Sequence, residues 1–102
     1  MLIDQHILGK DAVHVDFFNR RAATTSAVAA LAIRTGARVV PLFALPLPDG
    51  RYRMIYEHPI DLPASDAADP IRELTQRCTD VLEMYVRRNP ELWLWMHRRW
   101  RD

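Results

Sequence analysis

The stretch TTSAVAALAIRTGARVVPLFAL, residues 24–45, predicts a helix followed by a strand. Thr24 or Thr25 can cap the helix, because a threonine hydroxyl accepts a hydrogen bond from a free N–H group of the first turn. Residues 27–33 are apolar on every side, so the helix should be broadly buried or packed closely on a sheet. Gly36 stands where glycine commonly ends a helix.

The second half of this stretch, residues 37–45, is a β-rich run of the length expected for a buried strand. Pro41 cannot donate a ladder hydrogen bond, so it predicts a strand end, a bulge or an edge at that point. A turn at 48–50 (PDG) and a second strand over residues 51–57 should complete a hairpin.

Upstream, two further segments have the composition of strands. MLID (1–4) reads as a buried strand that ends at Asp4, and VHVDFF (13–18) as a short strand or an extended loop. The order strand, helix, strand and hairpin strand predicts an α/β fold with at least one βαβ unit.

The chain is predicted to form one domain of 102 residues. Residues 1–60 should form the sheet and the buried helix, and residues 69–100 should form helices. Asp69 caps a long helix with Pro70 at its first position. A second short helix should run from Pro90 toward Trp95. One apolar stripe at helical spacing marks the buried side of the long helix: Ile71, Leu74, Cys78, Val81, Leu82 and Tyr85.

The overall charge is close to neutral, with 14 basic and 13 acidic residues and a net charge of +1. A nucleic-acid-binding chain of this size is usually more basic, so no nucleic-acid partner is predicted. No apolar run approaches the roughly 18 residues of a spanning helix, so no transmembrane segment is predicted. Cys78 is the only cysteine, which excludes an internal disulfide.

Two histidines stand four residues before a carboxylate in the spacing His-x4-Asp, His6 with Asp11 and His97 with Asp102. A histidine held by a carboxylate can act as a general base toward a hydroxyl. Four histidines and 13 acids produce such spacings by chance, and both pairs lie in a loop or at the terminus. No metal or cofactor is predicted, because the histidines are scattered and no phosphate-cradling glycine loop is present.

The tail NPELWLWMHRRWRD, residues 89–102, contains every tryptophan of the chain. Trp93 and Trp95 are predicted to close the core, since an indole buries a large area and needs one partner for its N–H. Arg98, Arg99 and Trp100 suit a membrane surface or a phosphate-bearing lipid instead. Arginine beside tryptophan also suits single-stranded nucleic acid, but the near-neutral charge argues against that alternative.

Three stretches together resemble the bacterial lipid A biosynthesis acyltransferases, the lauroyl and myristoyl transferases. They are LIDQH, VDFFNRRAATTSAVAALAIRTGARVVPLFALPLPDGRYR and ELTQRCTDVLEMYVRRNPELWLWMHRRW. The resemblance covers nearly all 102 residues and matches the C-terminal half of the family. NPELWLWMHRRW is its most specific part, since the family ends in Pro-Glu-x-Trp-x-Trp-x-His-Arg-Arg-Trp.

The resemblance implies transfer of a fatty acyl chain from an acyl carrier protein or acyl-CoA thioester to a hydroxyl of a phosphorylated glucosamine lipid, a lipid A precursor. It implies part of a glycerolphosphate-acyltransferase-like sheet with flanking helices, closed by C-terminal helices. It also implies a peripheral location on the cytoplasmic face of the inner membrane. The family's catalytic His-x4-Asp/Glu motif lies upstream of the DQ segment. The pair His6 and Asp11 would then match the spacing of this motif without being the catalytic pair.

On this basis the chain alone is expected to lack catalysis, and to self-associate or to pair with an N-terminal half. The resemblance assigns Asp4 and Gln5 to the cleft and Pro41 to a strand that lines it. Thr24 and Thr25 would lie at the N-terminus of the buried helix, where an anionic group is favoured, although simple capping is the alternative.

Two further points complete the assignment. Arg98 and Arg99 would contact the anionic substrate, and Asn19 stands where the family usually has glycine. Asparagine tolerates positive φ, so the turn there can survive. The alternatives to an acyltransferase are a non-enzymatic module that binds anionic lipid and a decayed gene remnant.

Overall fold

The computed structural model describes residues 12–18 and 20–92. These residues form two antiparallel hairpins, two α-helices and a short 3-10 turn. The elements are β1 (Ala12–Phe17), β2 (Arg20–Thr25), α1 (Ala27–Thr35), β3 (Leu42–Pro46), β4 (Tyr52–Tyr56), α2 (Pro70–Arg88) and the 3-10 turn Pro90–Leu92. The predicted strand MLID, the residues from Trp93 onward and Asn19 lie outside the described residues.

The first hairpin pairs β1 with β2 over their full length and packs on α2. Val15 and Phe17 of β1 are fully buried. The backbone N–H of Asp16 donates to the side chain of Gln76 at 2.8 Å, and the Gln76 amide donates back to the Asp16 carbonyl at 2.8 Å. The Gln76 side chain therefore satisfies the backbone groups of Asp16 at the free edge of β1. β1 confirms the strand predicted within residues 13–18.

The turn between β1 and β2 holds Phe18 at φ 53°, in the left-handed region that a bulky residue rarely adopts. Two residues of α2 fix it there. The Phe18 N–H donates to the Glu83 carboxylate at 2.5 Å, and the Arg87 guanidinium lies 4.5 Å from the Phe18 ring centroid. Phe17 adds an edge-to-face contact at 4.8 Å. Electrostatic and aromatic contacts thus offset the cost of the strained backbone.

α1 begins at Ala27, one or two residues later than a cap at Thr25 or Thr24 predicts. Ser26 occupies the N-cap position without a side-chain capping bond, and Thr24 and Thr25 belong to β2. The Thr25 hydroxyl still accepts a hydrogen bond from the Ala27 N–H at 3.2 Å. The predicted position of Thr24 at the helix N-terminus is wrong, because strand pairing with β1 extends to Thr25.

The core lies where α1 crosses α2. Ala29 and Ala32 of α1 pack against Leu74 and Cys78 of α2, and the small alanine side chains let the two helices approach closely. A second cluster joins Phe17 and Ala22 of the first hairpin to Val86 of α2; the sequence stripe had not included Val86. Both clusters therefore use α2.

α2 begins where the sequence predicts and ends at Arg88. Asp69 accepts the Arg72 N–H at 3.2 Å, Pro70 takes the first helical position, and Asn89 caps the end. Two acid–base pairs lie along its exposed side at i,i+4 spacing, Glu73 with Arg77 at 3.6 Å and Glu83 with Arg87 at 3.1 Å. The predicted second helix is a 3-10 turn within its described residues.

The second hairpin, β3 and β4, confirms the predicted pair of strands and the turn between them. Pro41 lies immediately before β3, and Val39 forms an isolated bridge with Ile60, so the proline does interrupt the predicted strand. The mixed composition of helix and strand is confirmed. In the described ranges, however, both sheets are antiparallel, and β2 and β3 do not share a sheet. The predicted βαβ unit is absent there because α1 packs on α2 rather than on a common sheet.

Gly36 offers a direct test of the end of α1. Its φ of 73° is left-handed, and a Cβ added there would meet no atom within 4 Å. Gly36→Ala should therefore lower the free energy of unfolding by about 1–2 kcal/mol through backbone strain alone, as measured by chemical denaturation. Gly36→Asn should cost less, since asparagine tolerates this conformation. Equal stability of the alanine variant and the parent would contradict this account.

Candidate functional site

An apolar groove of about 590 Å³ lies between α1, α2 and the segment that leads into β3. This volume falls within the range of about 300–1,000 Å³ that is typical of small-molecule sites. Its lining residues come from all three parts: Val28, Leu31, Ala32, Ala37, Arg38, Val39, Val40, Pro41, Leu42, Phe43, Ile60, Cys78, Val81 and Leu82.

The groove exists because α1 is apolar on more than one side. Ala29 and Ala32 of α1 are buried by their contact with α2, although Ala32 also reaches the groove. Leu31 remains 44% exposed, and Val40 across the groove remains 45% exposed. Apolar side chains that stay in contact with water provide a favourable site for an apolar ligand.

Among the described residues that line the groove, Arg38 alone is charged. The Arg38 side chain takes part in no ion pair among the residues that the structure describes. An arginine presents several N–H donors in a planar arrangement that matches a phosphate or a carboxylate. The groove therefore combines an apolar lining with one cation suited to an anionic group.

The wall on the α2 side includes the only cysteine of the chain. Cys78 is 7% exposed and packs with Ala29, Ala32 and Leu74. Burial raises the pKa of the Cys78 thiol, since a thiolate would lose its hydration in this apolar contact. A thiol held neutral in this way is a poor nucleophile, so Cys78 serves as a small apolar wall residue.

A contact between β3 and α2 holds one lining residue of the groove, Phe43, in place. The rings of Phe43 and Tyr85 stack with centroids 3.6 Å apart and planes 11° apart. The Tyr85 hydroxyl donates a short hydrogen bond to the Glu57 carboxylate. This bond, followed by burial, raises the pKa of Tyr85, because deprotonation would place two negative charges together.

The residues predicted for substrate binding are distributed unevenly. Pro41 lines the groove. Thr24 is fully buried in β2, where its hydroxyl donates to the Ala22 carbonyl at 3.3 Å, and Thr25 follows it outside the groove lining. Their roles toward substrate stay predictions. The other candidates lie outside the described residues: Asp4, Gln5, His6, Asp11, Arg98 and Arg99.

Sequence reasoning missed most of the groove, including Leu31, Arg38 and Val40. One signal was present, since residues 27–33 are apolar on more sides than one helix–helix contact can bury. The described histidines, His14 and His58, are exposed, and neither forms an ion pair with a carboxylate in the described ranges. Within those ranges no three metal-ligating side chains converge.

The family model of the bacterial lipid A biosynthesis acyltransferases matches residues 1–102. The chain belongs to this family of acyltransferases, as its sequence resemblance predicts. A search of curated proteins finds no match to the chain. In the described part of the chain, neither α1 nor α2 is both long and apolar enough to cross a membrane.

The bond between Tyr85 and Glu57 can be tested by pH. Tyr85→Phe keeps the stacked ring but removes the hydroxyl donor, so it should lower the free energy of unfolding by about 1 kcal/mol at neutral pH. Because the folded-state pKa of Tyr85 is raised, its contribution is fully present below the unfolded pKa of about 10. It should be lost as pH rises through the folded pKa.

Denaturant titrations at a series of pH values would check this. The parent should lose stability more steeply than Tyr85→Phe in the alkaline range. Tyr56→Phe is a matched control, because the Tyr56 side chain is 71% exposed and should leave stability unchanged. Identical alkaline slopes for the parent and Tyr85→Phe would rule out a stabilising role for this bond.

Proposed function

We propose that this chain provides an acyl-binding site of an enzyme that moves a fatty acyl chain from an acyl carrier thioester to a hydroxyl of a phosphorylated glucosamine lipid. The observation that carries the proposal is the apolar groove between α1 and α2, in a chain of the lipid A acyltransferase family. The thioester would be that of an acyl carrier protein or of coenzyme A.

The chemistry of the groove suits a saturated chain. Each methylene group transferred from water to an apolar lining contributes about 0.8 kcal/mol, with no requirement for direction. Leu31 and Val40 expose apolar surface to water, so binding would bury apolar surface of both the groove and the acyl chain. The lining residues that the structure describes include few hydrogen-bonding side chains, which a site for a sugar or a base would need.

Arg38 supports an anionic group on the same ligand. A thioester donor carries a phosphate in its pantetheine arm, and the acceptor carries phosphate on glucosamine. A guanidinium at the groove would bind either phosphate through charge-assisted hydrogen bonds. Arg38 would therefore orient the ligand, while the apolar lining supplies most of the affinity.

Catalysis would rest on residues outside the described ranges. Transfer to a hydroxyl needs a base that removes its proton as the thioester carbonyl is attacked. Neither His14 nor His58 is held by a carboxylate in the described part of the chain. We therefore assign binding and positioning to the groove, and we place it at the cytoplasmic face of the inner membrane, where acceptor and acyl donor would meet.

Acyl binding can be measured directly with the 102-residue chain. Titration with a fatty acid that carries an environment-sensitive fluorophore should show saturable binding, which unlabelled laurate or myristate displaces. Leu31→Glu places a carboxylate in the groove at a residue that is 44% exposed, so the fold should survive. It should weaken binding about tenfold, equivalent to about 1.4 kcal/mol.

Leu62→Glu is the matched control, because Leu62 is also an exposed leucine but lies outside the groove lining. It should bind the probe as the parent does, and circular dichroism melts should show that both variants fold. A parent chain that does not bind the probe, or equal affinities of Leu31→Glu and the parent, would refute the acyl-binding proposal.

Cys78 provides an independent report on occupancy. Since the thiol is buried and its pKa is raised, a maleimide should react with it much more slowly in the folded chain than in denaturant. Laurate at a concentration that just saturates the parent should slow the reaction further in the parent and in Leu62→Glu, and clearly less in Leu31→Glu. Mass spectrometry at timed intervals measures the rate. Equal rates with and without laurate in the parent would place the acyl chain elsewhere.

A further inference from the structure

A long connection without a helix or a strand, residues 57–69, joins β4 to α2. Connections longer than about 12 residues are uncommon in compact domains, and they often carry a functional role. The residues of this one are exposed or half-buried throughout. The side chain of Ile60 nevertheless lines the groove and packs against the core cluster that contains Cys78. We call residues 57–61 the strap.

Hydrogen bonds hold the strap on both sides of the Ile60 side chain. Before it, the Glu57 carboxylate accepts from a hydroxyl of α2. At Ile60 itself, the backbone N–H donates to the Val39 carbonyl at 2.9 Å. After it, the Asp61 carbonyl accepts from the Arg77 guanidinium at 2.6 Å. These bonds hold Ile60 as a wall of the groove beside Val39.

The bond from Arg77 to the strap is a stronger contact than the ion pair that Arg77 also forms. The guanidinium lies 3.6 Å from the Glu73 carboxylate, and both side chains are about two-fifths exposed, so this pair contributes little to stability. The bond to the Asp61 carbonyl is short and has a charged donor, which strengthens a hydrogen bond. The i,i+4 spacing in the sequence reveals the weaker contact of Arg77 and hides the stronger one.

We propose that Arg77 is a positioning residue of the acyl groove, which holds the strap so that Ile60 closes the wall beside Cys78. Arg77 does not line the groove, so it acts on a bound acyl chain only through Ile60. Its bond is to the carbonyl of the residue that follows Ile60. The effect on acyl binding rests on the proposed function, whereas the position of the wall does not.

A wall that is already in place favours the binding of an apolar ligand. An acyl chain gains free energy from apolar contacts, and a lining side chain that must first be ordered reduces that gain. The strap has no helix or strand to order it. Loss of the Arg77 bond should therefore let the strap open locally, which admits solvent and reagents to Cys78.

The reaction of the Cys78 thiol with a maleimide, measured without any ligand, reports on this wall. Arg77→Ala should increase the rate by at least about fivefold, which corresponds to the loss of one net hydrogen bond. Arg77→Lys should restore most of the slow rate, because an ammonium also donates to a carbonyl. Glu73→Gln removes the ion pair, keeps the bond to Asp61 and should react as the parent does.

Urea and a double variant separate positioning from a general loss of stability. Labelling that requires global unfolding accelerates steeply with urea, whereas labelling through local opening depends little on it. The raised rate of Arg77→Ala should therefore stay nearly constant at low urea concentrations. Ile60→Ala should raise the rate by itself. Arg77→Ala combined with Ile60→Ala should add little further, since both substitutions act on one wall.

Acyl affinity gives a separate measurement of the same wall. Arg77→Ala should bind the fluorescent fatty acid about threefold more weakly than the parent, because Ile60 must be ordered on binding. Glu73→Gln should bind it as the parent does. A parent chain that does not bind the probe would refute the proposed function, and the labelling rates would still decide whether Arg77 holds the wall.

Three results would overturn the positioning role. The first is a labelling rate of Arg77→Ala that equals the parent's, or that rises only in proportion to global unfolding. The second is full additivity of Arg77→Ala and Ile60→Ala, which would show that Arg77 does not act through Ile60. The third is a parent that binds the fatty acid and an Arg77→Ala variant that binds it equally well.

Discussion

Leu74 has no exposed surface, and it lies where α1 crosses α2. The apolar stripe that contains Leu74 is the surface on which both helices and the first hairpin depend. One part of this stripe packs against Ala29 and Ala32, and another, near Val86, packs against Phe17 of β1. Polar side chains of α2 then complete the attachment, since Gln76 satisfies both backbone groups of Asp16. The elements meet chiefly through α2, so its stripe sets where each of them lies.

This dependence on a single helix explains why apolar surface is left over. A helix stripe is narrow and buries one side of each element that packs on it. α1 therefore keeps Leu31 in contact with water, and the second hairpin keeps Tyr52, Met54 and Tyr56 there. The first of these surfaces forms the groove, and the second is the exposed side of the β3–β4 hairpin.

Both surfaces belong to a chain of the lipid A acyltransferase family. Phe43 connects the two surfaces, because it lines the groove and its neighbour along β3, Leu42, lies on the exposed side of the hairpin. The stack of Phe43 on Tyr85 thus fixes the hairpin relative to the groove. The hydrogen bond from the Tyr85 hydroxyl to Glu57, which directly follows β4, adds a second link between α2 and the hairpin.

The sequence by itself determined the elements whose signals are local. Asp69 and Pro70 mark the start of α2, Gly36 marks the end of α1, and the residues PDG mark the turn of the second hairpin, because caps and turns depend on neighbours a few residues away. The family was also readable from sequence, since its motifs are continuous stretches. Tertiary structure alone decided that β2 and β3 belong to separate sheets and that Thr24 is a buried strand residue. It alone placed Leu31, Arg38 and Val40 around one groove, because these contacts join segments whose relative position depends on packing against α2.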